Sequence, residues 1–567
     1  MQVARLRHAA HRSVQTVIVV AVGLMAGWNA YICLRLRPDV PTLVINLAFW
    51  VVPMLALVAA TGRLGRSVAL GTAATFCLQR LHWLKWRYLE QTWTAADLRF
   101  FTEAANWALL WQYPEALAYL GAGASMLVLT WVLLSPGARA SVTTRGAAGV
   151  MAVTLTGSVV HWRDLHPFDP FGFNTYGHFA SLAYSASTLG YQPPQVTGSS
   201  DLFLTRAAAL DPATDHAPDE GAAPPVTSPS RPDIVIWLQE SAMDLGALDL
   251  PGADLPALRM YEPDARTRAH GRLRVHSWGG GTWLSEFALL SGLSHQDFGP
   301  AGNSVYYTVT PHLQYSLPRL LARHGYRSVA LVGTPKTLYN AEAAQRDLGF
   351  DEVLNPLDFP EWGGKSLPAH FVSDEELGRY ARQILARPAR PPLLLFVLSM
   401  MQHGPYDSAH PIRFGLDRLG LRRDQAARLS DYATRMVATD VAALAFGARL
   451  LDGPRPAVFA YFGDHQPNLG QPITYRERLA QPQYLTSYMV KTNLTPPAAA
   501  GPAAPLDITY LGAIVLEAAG LPLDPLFDAN RRMRRLCDGR LTDCPDQALT
   551  SSYRAHLYRD LVAARPR

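Results

Sequence analysis

The stretch that decides the fold is "DIVIWLQES", Asp233 to Ser241, a run of apolar residues that ends in a carboxylate. A continuous apolar run of this length, without polar alternation, is typical of a parallel strand that is buried on both faces. The sequence therefore predicts a buried strand with Glu240 at its carboxyl end.

Other strand-like runs follow this one, with helical patterns between them. The strand-like runs are "SVALVG" from Ser328, "PLLLFVLSM" from Pro392 and "AVFAYFGDH" from Ala457. The helical patterns include "SLPRLLARHG" from Ser316 and "ARLSDYATRMVATDVAALAFGARLL" from Ala427. This alternation predicts an α/β domain with a mostly parallel sheet covered by helices, which we assign to residues 233–530. Functional sites in such sheets gather at the carboxyl ends of the strands.

Polar residues stand at three of these predicted strand ends. Glu240 ends the first strand, His403 follows the third in "MMQHGPYD", and Asp464 and His465 follow the last in "YFGDHQP". Each residue alone also fits a helix cap, a loop histidine or a turn. Together with a hydroxyl they predict a site for one divalent ion. Carboxylate and imidazole favour Zn or Mn, whereas carboxylate and hydroxyl alone favour Mg.

The hydroxyl comes from "GGGTWLSEFALLSGL", Gly279 to Leu293. The apolar residues Trp283, Phe287 and Leu290 recur at helical spacing, which predicts a helix just behind Thr282. Two interpretations of Thr282 remain open at this point. It is an N-cap after a glycine turn, or it is a metal-activated nucleophile at a helix start that attracts anions.

The first 165 residues are of a different kind, because long apolar runs dominate them. These runs cover roughly residues 16–34, 42–60, 67–84, 116–134 and 147–160. A helix needs about 20 apolar residues to span a bilayer. The first, second and fourth runs meet that length, and the other two are shorter or more polar. We predict a five-span α-helical membrane domain over residues 1–165.

Charge predicts the orientation of this membrane domain, and composition predicts the boundary between it and the next domain. Arg5, Arg7 and Arg12 precede the first run and predict an N-terminus inside the cell. Five spans then place the catalytic domain outside, in the periplasm of a bacterium with an outer membrane. We assign residues 166–232 to an amphipathic juxtamembrane segment and a Pro/Ala-rich linker, and residues 531–567 to a C-terminal tail.

The cysteines and the net charge bear on the cellular compartment and on the kind of partner. Cys33 and Cys77 lie in apolar runs and are interpreted as packing residues. Cys537 and Cys544 are close together in the polar tail, where they could form a disulfide if the tail is outside the cytoplasm. The net charge of +5 comes from scattered arginines rather than a basic block. We therefore predict no nucleic-acid partner.

Taken together, these segments resemble a known family. They read "VIWLQES…GGGTWLSEFALLSGL…LPRLLARHGYRSVAL…KTLYN…DLGFDEVL…MQHGPYD…FGDH", behind five apolar runs and an interfacial "KWRYLEQTWTAADL". The chain resembles the membrane-anchored phospho-alcohol transferases of the alkaline phosphatase/sulfatase superfamily. This group includes lipoteichoic acid synthases and periplasmic phosphoglycerol transferases, with phosphoethanolamine transferases as more distant relatives.

The resemblance implies roles for individual residues. Glu240, Thr282, Asp464 and His465 stand at the positions of the metal ligands, and Thr282 is also the nucleophile. His403 corresponds to a histidine that faces the substrate. A group of substrate-binding positions is implied around the "KTLYN" segment, comprising Lys336, Tyr339 and Asn340 together with His403. The implied cofactor is one divalent ion, Mn, Zn or Mg.

Two departures from relatives narrow the expected reaction. Sulfatases need a Cys or Ser followed by x-Pro-x-Arg, and "TWLSE" has neither the proline nor the arginine. Lipoteichoic acid synthases hold glycerol phosphate with His, Asp, Trp and Arg near "KT". The corresponding residues here are Val332, Thr334, Tyr339 and Ala341. Sulfate-ester hydrolysis and polymerisation of glycerol phosphate are therefore both disfavoured.

The function predicted from the sequence is a metal-dependent transfer reaction at the outer leaflet of the bacterial inner membrane. A phosphoglycerol or phosphoethanolamine group passes from a phospholipid, through phospho-Thr282, to a glycan or another envelope hydroxyl. One alternative is a phosphodiester or sulfate-ester hydrolase that uses the same site. Another is a catalytically inactive membrane sensor or assembly protein. The sequence leaves the head group and the acceptor unspecified.

Overall fold

The computed structural model describes most of the chain, in two compact units. It describes all residues except 1, 36–38, 90–91, 103–106, 108–113, 135–138, 163–172, 187–189, 192, 211–230, 364–371, 407–410, 470–473, 495–503 and 563–567. The first unit comprises residues 1–190 with 299–303, and the second comprises 191–298 with 304–567. Most of the predicted Pro/Ala-rich linker lies outside the described residues.

The described part of the first unit is helical. Its helices are α1 (Gln2–Arg35), α2 (Val40–Thr61), α3 (Leu64–Leu89), α4 (Pro114–Leu133), α5 (Val142–Trp162) and α6 (Phe173–Ser185), with a 3₁₀ helix at Ala95–Thr102. Local signals explain the bounds of α2. Its N-cap Asp39 accepts a hydrogen bond from the Thr42 backbone, and Gly62 ends the helix in the left-handed conformation (φ 68°) that favours glycine.

Three of the described helices are long and apolar enough to cross a membrane. They are the Gln15–Leu34 part of α1, α2 and α4. The five predicted spans all fall within helices, but five membrane crossings are not confirmed. The carboxyl-terminal half of α3 carries "QRLHWLKWR", and the first turn of α5, "VTTR", contains two threonines and an arginine. These residues lower the hydropathy of both helices.

Polar contacts attach the predicted amphipathic segment to the helices of its own unit. The segment forms α6, and the Asn46 side chain of α2 accepts hydrogen bonds from the Phe179 and Ala180 backbone at 2.9 and 3.1 Å. Tyr184 of α6 shares a 2.8 Å hydroxyl contact with Thr42. These buried contacts fix the position of α6 against α2.

The second unit is built on an eight-stranded sheet in the order β4-β3-β5-β1-β6-β7-β2-β8. Its strands are β1 (Asp233–Gln239), β2 (Thr267–Arg274), β3 (Arg327–Val332), β4 (Glu352–Leu354), β5 (Leu393–Ser399), β6 (Ala457–Gly463), β7 (Leu485–Thr492) and β8 (Leu506–Asp507). The strands β4, β3, β5, β1 and β6 are parallel, whereas β7 runs antiparallel to both β6 and β2. The mostly parallel sheet predicted from the sequence is confirmed.

Helices cover both faces of this sheet. They are α7 (Asp201–Leu210), α8 (Thr282–Ser291), α9 (Val305–Thr308), α10 (Leu317–Arg323), α11 (Ala341–Asp347), α12 (Asp374–Leu385), α13 (Arg423–Leu451), α14 (Leu511–Ala518), α15 (Pro525–Leu536) and α16 (Gln547–Ala555). Alternate residues of β1 enter opposite cores. Ile234 and Ile236 pack with α8, while Val235 and Trp237 pack with α12 and α13. Burial on both faces explains why β1 reads as a continuous apolar run.

The C-terminal residues pack into the core of the second unit. Leu549, Tyr553 and Tyr558 are buried there. Cys537 and Cys544 form a disulfide with a Cα–Cα distance of 5.6 Å, within the range that a bridge requires. The structure thus decides the pairing that the sequence left open, and a disulfide fits an oxidising compartment.

We expect the double substitution Cys537→Ser/Cys544→Ser to lower the free energy of unfolding by about 2.5 kcal/mol, because the bridge closes a short loop whose entropy it removes from the unfolded chain. Urea unfolding of wild type and variant measures the difference. Reductant is the control, since it should shift the wild-type midpoint and leave the variant unchanged. An unshifted wild-type midpoint would contradict the prediction.

Candidate active site

Three of the predicted ligands meet at the carboxyl ends of two neighbouring strands. The strands β1 and β6 pair in register, with Gln239 opposite Gly463, so the next residues along each strand, Glu240 and Asp464, emerge side by side. Together with His465 they offer ligand atoms that all lie within 4.8 Å of one another. All three side chains are at most 1% exposed. The structure therefore brings together carboxylates and an imidazole that are far apart in sequence.

A glycine allows this close approach. Gly463 ends β6, and a Cβ atom there would overlap the carbonyl group of Ala242. Only glycine permits the chain after Glu240 to pass so near the end of β6. This is the physical reason for the glycine in "GDH".

Thr282 supplies the hydroxyl at the same place. It is the first residue of α8, and Gly281 occupies the N-cap with φ 86°, a conformation that favours glycine. The Thr282 hydroxyl donates a 2.6 Å hydrogen bond to Glu240 Oε2. The N-cap interpretation of Thr282 is therefore wrong, because the cap is the preceding glycine. The half-buried side chain belongs to the Glu240 cluster and stands at a helix start.

Burial and the charges of neighbouring residues together set the pKa values in this cluster. Burial disfavours the charged form of Glu240, but the charge of nearby His465 and the hydrogen bond donated by Thr282 help to outweigh burial and lower the Glu240 pKa to about 2. Burial and the charge of Glu240 raise the pKa of Asp464 to about 8. For His465, burial is outweighed by Asp464 and Glu240, which raise its pKa to about 9. Without a cation, therefore, the two carboxylates oppose each other's ionisation.

The donor set fits a divalent cation. Asp464 Oδ2 and His465 Nε2 are buried without a hydrogen-bond partner, although they lie only 3.3 Å apart. His465 Nδ1 lies 3.0 Å from the Gln466 carbonyl oxygen. A proton on Nδ1 leaves the Nε2 lone pair directed at the carboxylates, which is the usual arrangement of a metal-bound histidine. Buried polar atoms without partners are costly, and a cation would satisfy both atoms.

Sequence reasoning missed Ser241, which holds two of the carboxylates. Its backbone N–H donates to Asp464 Oδ1 at 2.7 Å, and its hydroxyl donates to Glu240 Oε1 at 2.8 Å. Its φ of 51° is a left-handed conformation that non-glycine residues rarely adopt. Tyr432 donates to the Ser241 carbonyl at 2.7 Å. The only signal in the sequence is the serine directly after Glu240 in "LQES".

His403 lies on the loop after β5, next to β1 in the sheet. It is half-buried, and its charge contributes to the lowered pKa of Glu240. Arg435 of α13 donates to the His403 carbonyl at 3.0 Å and forms a 2.7 Å ion pair with Asp431. The position of His403 is therefore set by α13 as well as by its own strand.

The predicted substrate-binding residues of "KTLYN" have different surroundings. Tyr339 stacks on Trp283, the residue after Thr282, with ring centroids 4.5 Å apart. Lys336 forms a 2.9 Å ion pair with Asp358, and Asn340 donates to the Tyr306 carbonyl at 2.8 Å. Tyr339 therefore directly contacts the residue next to Thr282. Lys336 and Asn340 hold the segment in place.

The chain is similar to several known proteins. The sulfatase family profile matches residues 232–521. An uncharacterized protein of Haemophilus influenzae is 31% identical over 503 residues, covering 86% of this chain and 89% of that protein. The capsular polysaccharide biosynthesis protein RkpI of Rhizobium meliloti is 28% identical over 246 residues, 42% of each chain. Among solved structures, the Streptococcus pyogenes phosphoglycerol transferase GacH, in complex with sn-glycerol-1-phosphate, aligns with TM-score 0.48 and 16% identity. That alignment covers 65% of this chain and 94% of that one.

Proposed function

Because the chain belongs to the sulfatase family, we propose that it is a metal-dependent transferase that moves a phospho-alcohol head group from a membrane phospholipid to a glycan hydroxyl. The observation that carries the proposal is the Thr282 hydroxyl, half-buried at a helix start and 2.6 Å from Glu240 in a buried Glu/Asp/His cluster. Such a hydroxyl, beside a cation site, is suited to attack a phosphodiester. The head group is phosphoglycerol or phosphoethanolamine.

The sequence at the nucleophile favours a phosphate ester over a sulfate ester. Thr282 cannot be converted to the formylglycine of sulfatases, which arises from Cys or Ser followed by x-Pro-x-Arg. A threonine alkoxide can instead form a phosphoester bond as the bond from phosphorus to the diacylglycerol oxygen breaks. The backbone N–H groups in the first turn of α8 would hold the phosphate oxygens, because a helix N-terminus favours anions.

Glu240, Asp464, His465 and Thr282 would hold the divalent ion. When bound, the ion would lower the pKa of the hydroxyl and neutralise charge on the phosphoryl group. Glu240 Oε2 accepts a hydrogen bond from the Thr282 hydroxyl, which holds that oxygen beside the proposed cation site. With a cation bound, the proton of the ionising hydroxyl would pass to solvent. We assign His403 to protonate the departing diacylglycerol oxygen and then to take the proton of the incoming acceptor hydroxyl.

Further observations support the proposed location and acceptor. Three apolar helices precede the catalytic unit, and they would keep the enzyme in the bilayer that holds its lipid donor. The disulfide at Cys537 and Cys544 supports an extracytoplasmic catalytic domain. The similarity to RkpI, named for capsular polysaccharide biosynthesis, supports a glycan acceptor. We place the enzyme in the bacterial inner membrane with its active site on the periplasmic side.

The test uses the full chain in vesicles that contain phosphatidylethanolamine and phosphatidylglycerol, each with a labelled head group. We expect diacylglycerol to form together with labelled glycan when an oligosaccharide acceptor is supplied. Mass spectrometry of the products separates transfer from hydrolysis. Free head-group phosphate at a rate independent of the acceptor would identify a hydrolase. No turnover of either lipid, with any divalent metal, would support an inactive sensor.

Ser241 offers a separate test of the ligand arrangement. We expect Ser241→Ala to weaken Mn²⁺ binding about 10-fold, because it removes the hydroxyl that orients Glu240. Ser241→Gly also loses the hydroxyl, but glycine adopts the left-handed backbone conformation without strain. Comparing the two variants therefore separates the effect of the hydroxyl from the effect of the backbone. Calorimetric titration with Mn²⁺ measures the affinity. Wild-type affinity in both variants would show that the hydroxyl does not orient a ligand.

A further inference from the structure

A second polar cluster lies buried close to the strand ends that carry Glu240 and His403. It consists of five side chains, each at most 4% exposed: Gln239, Asp374, Ser399, Gln402 and Thr439. We call these residues the Asp374 cluster. They come from the ends of β1 and β5, the start of α12, the loop after β5 and the middle of α13. The mechanism proposed above uses none of them.

Hydrogen bonds converge on the Asp374 carboxylate from three elements. Gln239 Nε2 lies 3.3 Å from both carboxylate oxygens and 3.0 Å from the Ser399 hydroxyl. The hydroxyls of Ser399 and Thr439 donate to the same carboxylate. Among the described residues, no ion pair includes Asp374, so neutral donors satisfy it. A buried carboxylate held only by neutral donors depends on all of them.

Gln402 extends the cluster to the loop after β5. Its amide contacts Gln239 and Thr439, and it also donates to the Arg435 carbonyl at 3.3 Å. Tyr406 donates to the Gln402 carbonyl at 2.9 Å. The side chain of Gln402 therefore ties its loop to both β1 and α13.

Each of the two glutamines directly precedes a residue of the candidate active site, which connects the Asp374 cluster to that site. Gln239 directly precedes Glu240, and Gln402 directly precedes His403. The Glu240 backbone N–H also donates to the Ser399 carbonyl at 3.1 Å. Each glutamine points into the cluster, so the backbone that follows it starts from a fixed position.

We propose that Asp374 is a positioning residue that sets the distance and orientation between Glu240 and His403. It acts through Gln239 and Gln402, without touching substrate or metal itself. The inference rests on the proposed function, in which Glu240 binds the cation and His403 transfers the proton. A purely structural alternative also exists, because a carboxylate in the first turn stabilises a helix.

Thr439 provides a matched pair of variants that lie outside the proposed catalytic machinery. Thr439→Val keeps the shape of the side chain and removes the hydroxyl that donates to Asp374, whereas Thr439→Ser keeps the hydroxyl. Asp374→Asn keeps the shape of the side chain, but it replaces one carboxylate oxygen, which accepts hydrogen bonds, by an amide nitrogen that faces the surrounding donors. Asp524→Asn is the structural control, because Asp524 is a buried N-cap at α15, bonded to the Phe527 backbone.

The readouts are hydrogen exchange, Mn²⁺ binding and transfer kinetics of the full chain. For Thr439→Val and Asp374→Asn we expect faster exchange in peptides 233–243 and 397–406 together. We also expect Mn²⁺ binding to weaken about 10-fold and kcat to fall by about 10-fold or more. Thr439→Ser should behave as wild type. Asp524→Asn should lower thermal stability and leave metal affinity and kcat unchanged.

Several outcomes would overturn the inference. Exchange that rises in one peptide alone would show that the two strand ends are not coupled. Loss in Thr439→Ser equal to that in Thr439→Val would mean that the hydroxyl is irrelevant. If Thr439→Val does not fold, Ser399→Ala removes another donor to Asp374 and carries the same expectation. Absence of transfer in wild type would refute the proposed function, while exchange and Mn²⁺ binding still decide the inference.

Discussion

Replacing Thr282 by alanine abolishes head-group transfer while the protein still folds, inserts into membranes and binds metal. The reason is that the substitution removes the attacking oxygen and leaves Glu240, Asp464 and His465 in place. Loss of a covalent nucleophile lowers kcat by roughly 10⁴-fold or more. Loss of the hydrogen bond to Glu240 costs only about 1 kcal/mol of stability, because His465 and Ser241 still contact that carboxylate.

The measurement is transfer of labelled head group from lipid, normalised to folded protein. Thr282→Ser keeps an oxygen and should retain part of the activity. Ser291→Ala is a matched control in the same helix, since its hydroxyl donates to the Phe287 carbonyl at 2.6 Å and accepts from the Leu293 backbone at 3.2 Å, away from the Glu240 cluster. Mass spectrometry should find a phosphoryl adduct on Thr282 when acceptor is withheld. Normal transfer by a folded Thr282→Ala protein would refute the proposed mechanism.

The centre of the fold could be predicted from the sequence because its strands are buried on both faces. Continuous apolar runs marked β1, β3, β5 and β6, and the polar residues after them pointed to one edge of the sheet. The strands β2 and β7 were not predicted. "TRAHGRLR" of β2 is half-exposed and rich in arginine, so its pairing with β7 leaves no apolar signature.

The sequence pointed to the three side chains that cluster at the strand ends, but not to the groups that orient them. Glu240, Asp464 and His465 carry recognisable chemistry, and their strand ends fix their proximity. Ser241 and Asp374 are ordinary polar residues whose role depends on contacts made across the fold. Sequence spacing carries no information about such contacts. Prediction of the membrane-spanning helices was limited for another reason, because length and hydropathy alone do not decide whether α3 and α5 cross a bilayer.

We expect Asp464→Asn to weaken binding of the proposed cation while the surrounding loop keeps its fold. Asparagine keeps the Oδ1 that accepts from the Ser241 and His465 backbone, at 2.7 and 2.8 Å, so the loop retains its shape. It replaces the buried Oδ2, which has no hydrogen-bond partner, by an amide nitrogen that cannot bind a cation. We expect transfer to be lost and Mn²⁺ or Zn²⁺ binding to weaken at least about 100-fold, beyond the effect of an orienting residue.

Whether Asp464→Asn is less or more stable than wild type should depend on whether a cation is present. With a cation at 100 to 1,000 times its Kd, wild type gains about 2.7 to 4.1 kcal/mol, and a variant that binds at least about 100-fold more weakly loses most of this gain. After chelation the order should reverse. Burial and the charge of Glu240 then raise the pKa of Asp464 to about 8, so folding costs the free energy of protonating or burying that carboxyl, and asparagine removes this cost. Thermal unfolding with and without chelator measures both differences, and Asp440→Asn, at a buried aspartate bonded to the Met260 backbone, should show no dependence on metal. Equal responses of wild type and Asp464→Asn to the chelator would mean that the cluster holds no ion.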